Sequence, residues 1–269
     1  MKTRIIVVVL CLICMALPRL SMAADIPENN FKPIKVSEVE KDFLKPDPNL
    51  PQEIYAVPER PHFLLGLNQI KNLVLATSTL QMFRKYQSAQ MFDMRKFWEH
   101  SVGCAVASKV LAETAYLGSP DDMFAGGLLH DVGKLIHAIY LHEEFSAVVS
   151  DVEARGLPLF ESEKKILGYD HTYTGRELAM RWSLSQGTIS MIAHHHLSDG
   201  SALLSKEVAA VHIGNSICIA MGLGSGGEKK VPMINEKAWE MLGIELSSLE
   251  YIVARIEKLF KESIAILEP

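Results

Sequence analysis

Ala125-Gly126-Gly127-Leu128-Leu129-His130-Asp131-Val132-Gly133-Lys134 sets a histidine beside an aspartate at the end of an apolar run. The pair offers one neutral nitrogen and one carboxylate oxygen from adjacent positions, a donor set that suits iron, manganese or zinc. Lys134 follows Asp131 by three residues. Where a helix continues through the stretch, the lysine shares the aspartate's face and reaches an anion bound there. A single His-Asp pair also occurs in surface turns and as a hydrogen-bonded core histidine. The metal reading therefore needs ligands from elsewhere in the chain.

Three further segments supply histidines. His100 stands in Phe97-Trp98-Glu99-His100-Ser101, His171 follows Gly168-Tyr169-Asp170, and His194, His195 and His196 are consecutive. Of the ten histidines in the chain, six fall in these segments and the opening one. One histidine alone is more often packed or exposed than a ligand, so the weight lies on their joint occurrence. Neighbouring helix positions are ~100° apart, so two residues of the run can face one site but hardly three. Counting from Ile192, the inward pair is His195 and His196. Counting back from Asp199-Gly200, it is His194 and His195. The first pair is preferred.

The order and spacing of these segments resemble the HD superfamily of metal-dependent phosphohydrolases, and within it the HDOD branch, signalling domains related to HD-GYP phosphodiesterases. The likeness spans about residues 64–266. It implies an all-α, HD-type helical bundle over residues 61–269, with His100, His130, Asp131, His171, His195 and His196 as metal ligands. It implies a divalent transition metal, iron or manganese ahead of zinc, held singly or as a dinuclear pair. In the hydrolase reading the metal activates a water, Asp131 ligates and helps orient it, and Lys134 offsets charge on the phosphoryl oxygens, so Asp131 and Lys134 are the catalytic candidates. The ligand class is then a phosphorylated small molecule or nucleotide. The competing reading is a metal-binding signalling module without turnover that acts through protein partners. Two departures weigh against turnover. Asn215 stands where the superfamily has a late aspartate ligand, and Ser201-Ala202-Leu203 replaces the Gly-Tyr-Pro segment. His137 and His142 have no counterpart in the resemblance and are expected at a helix end or the surface.

The formal net charge of −5 offers no basic surface for nucleic acid. Lys2 and Arg4 precede an apolar run from Ile5 to Leu17, then Pro18 and Ser21-Met22-Ala23, the layout of a secretory signal over residues 1–23. The run is too short for an ordinary transmembrane helix, so no stable span is expected once the signal is removed. The signal points to export (a periplasmic protein), whereas the family resemblance points to the cytoplasm. Residues 24–60 are polar and proline-rich and read as an extended leader. Cys104 and Cys218 lie on apolar helix faces and read as buried thiols rather than a disulfide or a nucleophile.

Beyond residue 61 the periodicity is helical and no strand stands out. Asp93, Asp170, Ser185 and Asn235 each precede a helical pattern as caps, and Ser119-Pro120-Asp121-Asp122 is a helix start. Gly156 ends a helix begun near Glu143. Ser247 and Glu250 suggest a capping box for the last helix. Gly222-Leu223-Gly224-Ser225-Gly226-Gly227 lacks a preceding strand and a Gly-Lys-Ser/Thr ending, and reads as a flexible loop rather than a phosphate cradle.

Overall fold

The computed structural model describes residues 93–197 and 205–267. The expectations for residues 1–92, signal and leader included, lie outside the described residues, as does Ser201-Ala202-Leu203. Every regular element among the described residues is helical, and the fold is all-α.

In chain order the helices are α1 (Met94–Thr114), α2 (Pro120–Leu129), α3 (Val132–Tyr140), α4 (His142–Arg155), α5 (Leu159–Leu167), α6 (His171–Arg181), α7 (Gln186–His194), α8 (Lys206–Ala220), α9 (Glu236–Leu242) and α10 (Leu249–Leu267). Their ends follow local chemistry. Asp93 accepts from the Lys96 amide, Asp170 from those of Thr172 and Tyr173, Ser185 from that of Thr188, and Asn235 from that of Ala238. Each satisfies an amide that the first helical turn leaves without a partner. Pro120 starts α2 with Asp121 and Asp122 behind it, though the Ser119 hydroxyl makes no capping bond. Gly156 ends α4 in the left-handed region at φ 63°. The expected capping box at Ser247 does not form. Leu246–Ser248 is a 3-10 turn, α10 begins only at Leu249, and the Ser247 hydroxyl donates to Glu245 Oε2 at 3.2 Å.

The core is built around α1, which packs against α2, α8 and α10. Cys104, Ala105, Ala107, Val110 and Leu111 of α1 are fully buried, as are Val208, Ala209, Val211 and Ile213 of α8. Ile252 and Ile256 carry the apolar stripe of α10 into the same core. Burying each Leu or Ile contributes about 1.5–3 kcal/mol. A second group joins α3 to α6 and α6 to α7, and α7 in turn packs on α2 and α8. The α3–α6 contact is backbone on backbone. A Cβ at Gly133 would stand 2.0 Å from the His171 carbonyl oxygen, so only glycine permits this approach. The result is that the α2–α3 corner, the start of α6 and the end of α7 meet where α1 and α8 also pass.

Candidate metal centre

His130 and Asp131 occupy the corner between α2 and α3 rather than the interior of one helix. Asp131 is fully buried at its centre, and its two carboxylate oxygens face different histidines. Oδ2 lies 3.2 Å from His130 Nε2 and 3.6 Å from His100 Nε2. Oδ1 lies 3.2 Å from His171 Nε2 and 3.6 Å from His195 Nε2. His196 joins the second side, its Nε2 2.9 Å from His171 Nε2. Two sets of donors result, His100–His130–Asp131 and Asp131–His171–His195–His196, with donor atoms within 4.8 Å of one another in each. These are the residues singled out in the sequence, drawn from α1, the α2–α3 corner, α6 and the end of α7. His194 is not among the two sets.

The second nitrogens of these rings set their tautomers. His130 Nδ1 donates to the Gly127 carbonyl at 2.7 Å and His195 Nδ1 to that of Ile192 at 3.0 Å. His171 Nδ1 donates to Glu163 Oε2 at 2.5 Å. The Nε2 lone pairs of His130 and His195 are therefore turned toward Asp131, where each finds another acceptor instead of a donor. His100 Nε2, His130 Nε2, His195 Nε2 and Asp131 Oδ1 are buried without a hydrogen-bond partner. Buried polar atoms are normally paired, and a cluster of unpaired acceptors is costly. A divalent cation satisfies them together, so the donor set fits a metal ion.

The electrostatics follow from burial and this crowding. Burial pushes His195 down to about 3, and it likewise lowers His130 and His196. Burial also opposes charge on His100 and His171, but Asp131 and Cys218 lift His100 to about 10, and Glu163 with Asp131 lifts His171 to about 9. Asp131 stays well below the usual carboxylate range despite its burial, held there by His130, Lys134 and His100.

Several residues here escaped the sequence reading. Glu163, from the middle of α5, accepts from the His171 amide at 2.9 Å as well as from its ring, and from His137 Nδ1 at 2.9 Å. A carboxylate behind a ligating histidine orients the ring and raises its basicity. His137 is in the last turn of α3 as expected, yet it is fully buried, its Nε2 accepting from the Thr174 hydroxyl at 2.8 Å. His142 is exposed. His212 of α8 donates from Nδ1 to the His195 carbonyl at 2.8 Å and accepts the Asn235 amide at 3.1 Å, fixing the end of the His run. Cys104 and Cys218 are buried free thiols, and the Cys218 sulfur lies 3.6 Å from His100 Nδ1. No local pattern marks Glu163 or His212. A buried charge inside a short helix becomes informative only once its partner is known.

Lys134 departs from expectation. It is fully buried and already engaged by Asp131 Oδ2 at 2.7 Å, the Gly226 carbonyl at 3.1 Å and Glu228 Oε1. The glycine-rich stretch that read as a flexible loop is pinned beside the site, its Ser225 amide donating to the Lys96 carbonyl at 2.8 Å. Asn215 is buried on α8 one turn before Cys218, and its side-chain oxygen has no hydrogen-bond partner.

Residues 59–198 match the HDOD domain family. The chain belongs to that family. Among solved structures, an HDOD domain protein with unknown function from Geobacter sulfurreducens is 27% identical over 72% of each chain, with a TM-score of 0.58. A protein provisionally named a phosphohydrolase, from Shewanella amazonensis SB2B, is 22% identical over 73% of this chain and 70% of its own, with a TM-score of 0.54. A provisionally named signal transduction protein from Marinobacter aquaeolei VT8 is 16% identical over 73% of this chain and 44% of its own, with a TM-score of 0.57. At such identities the last two speak to the HDOD fold alone. No curated protein matches. Among the described residues no helix is long and apolar enough to cross a membrane. The matched HDOD segment ends before α8, so Asn215 and Glu228 lie outside it.

Proposed function

We propose that this HDOD chain is a signalling protein whose domain holds a divalent transition metal between His100, His130, Asp131, His171, His195 and His196. The observation that carries the reading is the convergence of buried, unpartnered imidazole nitrogens on the two faces of one aspartate. Imidazole with carboxylate, and more donors than a tetrahedral ion uses, put iron or manganese ahead of zinc. The two-sided Asp131 suits a bridged pair as well as a single ion.

Bound there, such an ion supplies Lewis acidity toward water and phosphoryl oxygens. The surrounding residues favour binding over turnover. The Lys134 ammonium, which would face a phosphoryl oxygen, is saturated by three acceptors of the protein itself. Asn215 contributes no charge. The domain then acts through a phosphorylated ligand or a protein partner whose binding depends on the metal state.

Elemental analysis of anaerobically purified protein tests this. It should find at least one equivalent of metal, and His130→Ala and Asp131→Ala should each remove most of it. Metal-loaded protein should leave bis(p-nitrophenyl) phosphate and nucleotides intact. Turnover that is absent from the Asp131→Ala variant would shift the reading to a phosphohydrolase. Protein that takes up no metal would overturn it.

A further inference from the structure

The loop after α8 brings a second carboxylate to the site. Glu228 is 7% exposed in its side chain, although it follows an exposed-looking run of glycines. Its Oε1 accepts from Lys134, which accounts for one oxygen. Its Oε2 is buried and has no hydrogen-bond partner. The direction of that oxygen can be read from Gly226. A Cβ there would lie 2.6 Å from Glu228 Oε2, 2.9 Å from His100 Cδ2 and 3.0 Å from Asp131 Oδ2. Glu228 Oε2, the edge of the His100 ring and Asp131 Oδ2 thus all border Gly226, which puts Glu228 beside the His100–His130–Asp131 donor set though not within it. The loop is shaped to make this approach. Gly224 sits at φ +68°, where a Cβ would be 2.2 Å from both the His100 amide nitrogen and the Lys96 carbonyl oxygen.

We propose that Glu228 is a ligand of the metal held by His100, His130 and Asp131, delivered by the glycine loop to supply the carboxylate that Asn215 does not. The inference rests on the metal reading above. A role as salt-bridge partner of Lys134 alone would leave Oε2 desolvated and unpaired. A protein carboxylate at this point closes the coordination shell from outside, as in sites that hold a metal rather than expose it to substrate.

The test is metal binding by the stripped full-length chain, using Mn²⁺ and, under anaerobic conditions, Fe²⁺. Glu228→Gln keeps the shape and an acceptor for Lys134 but removes the anionic donor. It should weaken binding on the order of 10–100-fold, and adding Asn215→Asp should recover part of the loss. Wild-type affinity in Glu228→Gln would overturn the inference and leave the metal reading standing. A wild-type chain that binds neither ion would sink both. Should Glu228→Gln fail to fold, amide exchange of the wild type at Ser225–Glu228 replaces it. Those amides should be protected by the ion, and exchange unchanged by saturating metal would overturn the proposal.

Discussion

Glu163 carries two histidines on one carboxylate. Burial alone would raise its pKa, but His171 and His137 hold it at about 2. In Glu163→Gln the amide cannot accept from both rings and the His171 amide as an anion does, so His171 loses its fixed tautomer. Metal affinity should fall on the order of 10–100-fold, and the metal-free protein should lose about 1–3 kcal/mol in urea unfolding. Unchanged affinity would mean that His171 is no ligand. His137→Ala removes the other half of the same clamp and should weaken metal binding by a smaller factor. The family resemblance has no counterpart for His137, so this role comes from its buried contact with Glu163 alone. His142→Ala should be neutral in both measurements, because His142 is exposed.

At the scale of elements, the site depends on how closely α3 lies against α6. Gly133→Ala would place a methyl 2.0 Å from the His171 carbonyl oxygen, which is backbone and cannot swing away. The helices must separate, at a cost of about 1–3 kcal/mol and a fall in Tm of roughly 2–12 °C. Because α6 begins with His171, the same shift should lower metal occupancy, measured by elemental analysis. A variant with normal Tm and full metal would show that α3 and α6 are not in this contact. The caps of α1, α6, α7 and α9 stand where sequence chemistry puts them, since a cap bonds within its own first turn. The start of α10 does not. There Leu246–Ser248 winds as a 3-10 turn and moves the helix start past Ser247.

For the whole molecule, the buried histidines predict an optimum of stability in the metal-free state. His195 falls from 6.5 to about 3, and His130, His196 and His212 are lowered too, so between these pH values the unfolded chain binds protons that the folded one excludes. Stability therefore drops as pH falls below about 6.5. Glu163, lowered from 4.5 to about 2, adds to the loss below 4.5. His171 and His100 rise from 6.5 to about 9 and about 10, so their contribution is complete below 6.5 and is lost as pH rises through those values. Tm of chelator-treated protein should peak near neutrality, and a steady climb from acid to pH 9 would refute the assignment. Metal must displace the protons on His100 and His171, so its affinity should increase over the alkaline limb. The sequence by itself determined the helical class, most helix ends and the set of residues gathered at Asp131. Those signals are local, or lie in the spacing of a few residue types. Tertiary structure alone decided which partners complete the site. His137 meets Glu163 across 26 residues of chain and Lys134 meets Glu228 across 94, and the helix packing that joins them leaves no mark at either position. The same packing turned a lysine expected to face a ligand into one enclosed by the protein's own acceptors, because burying its ammonium requires compensating charge close by.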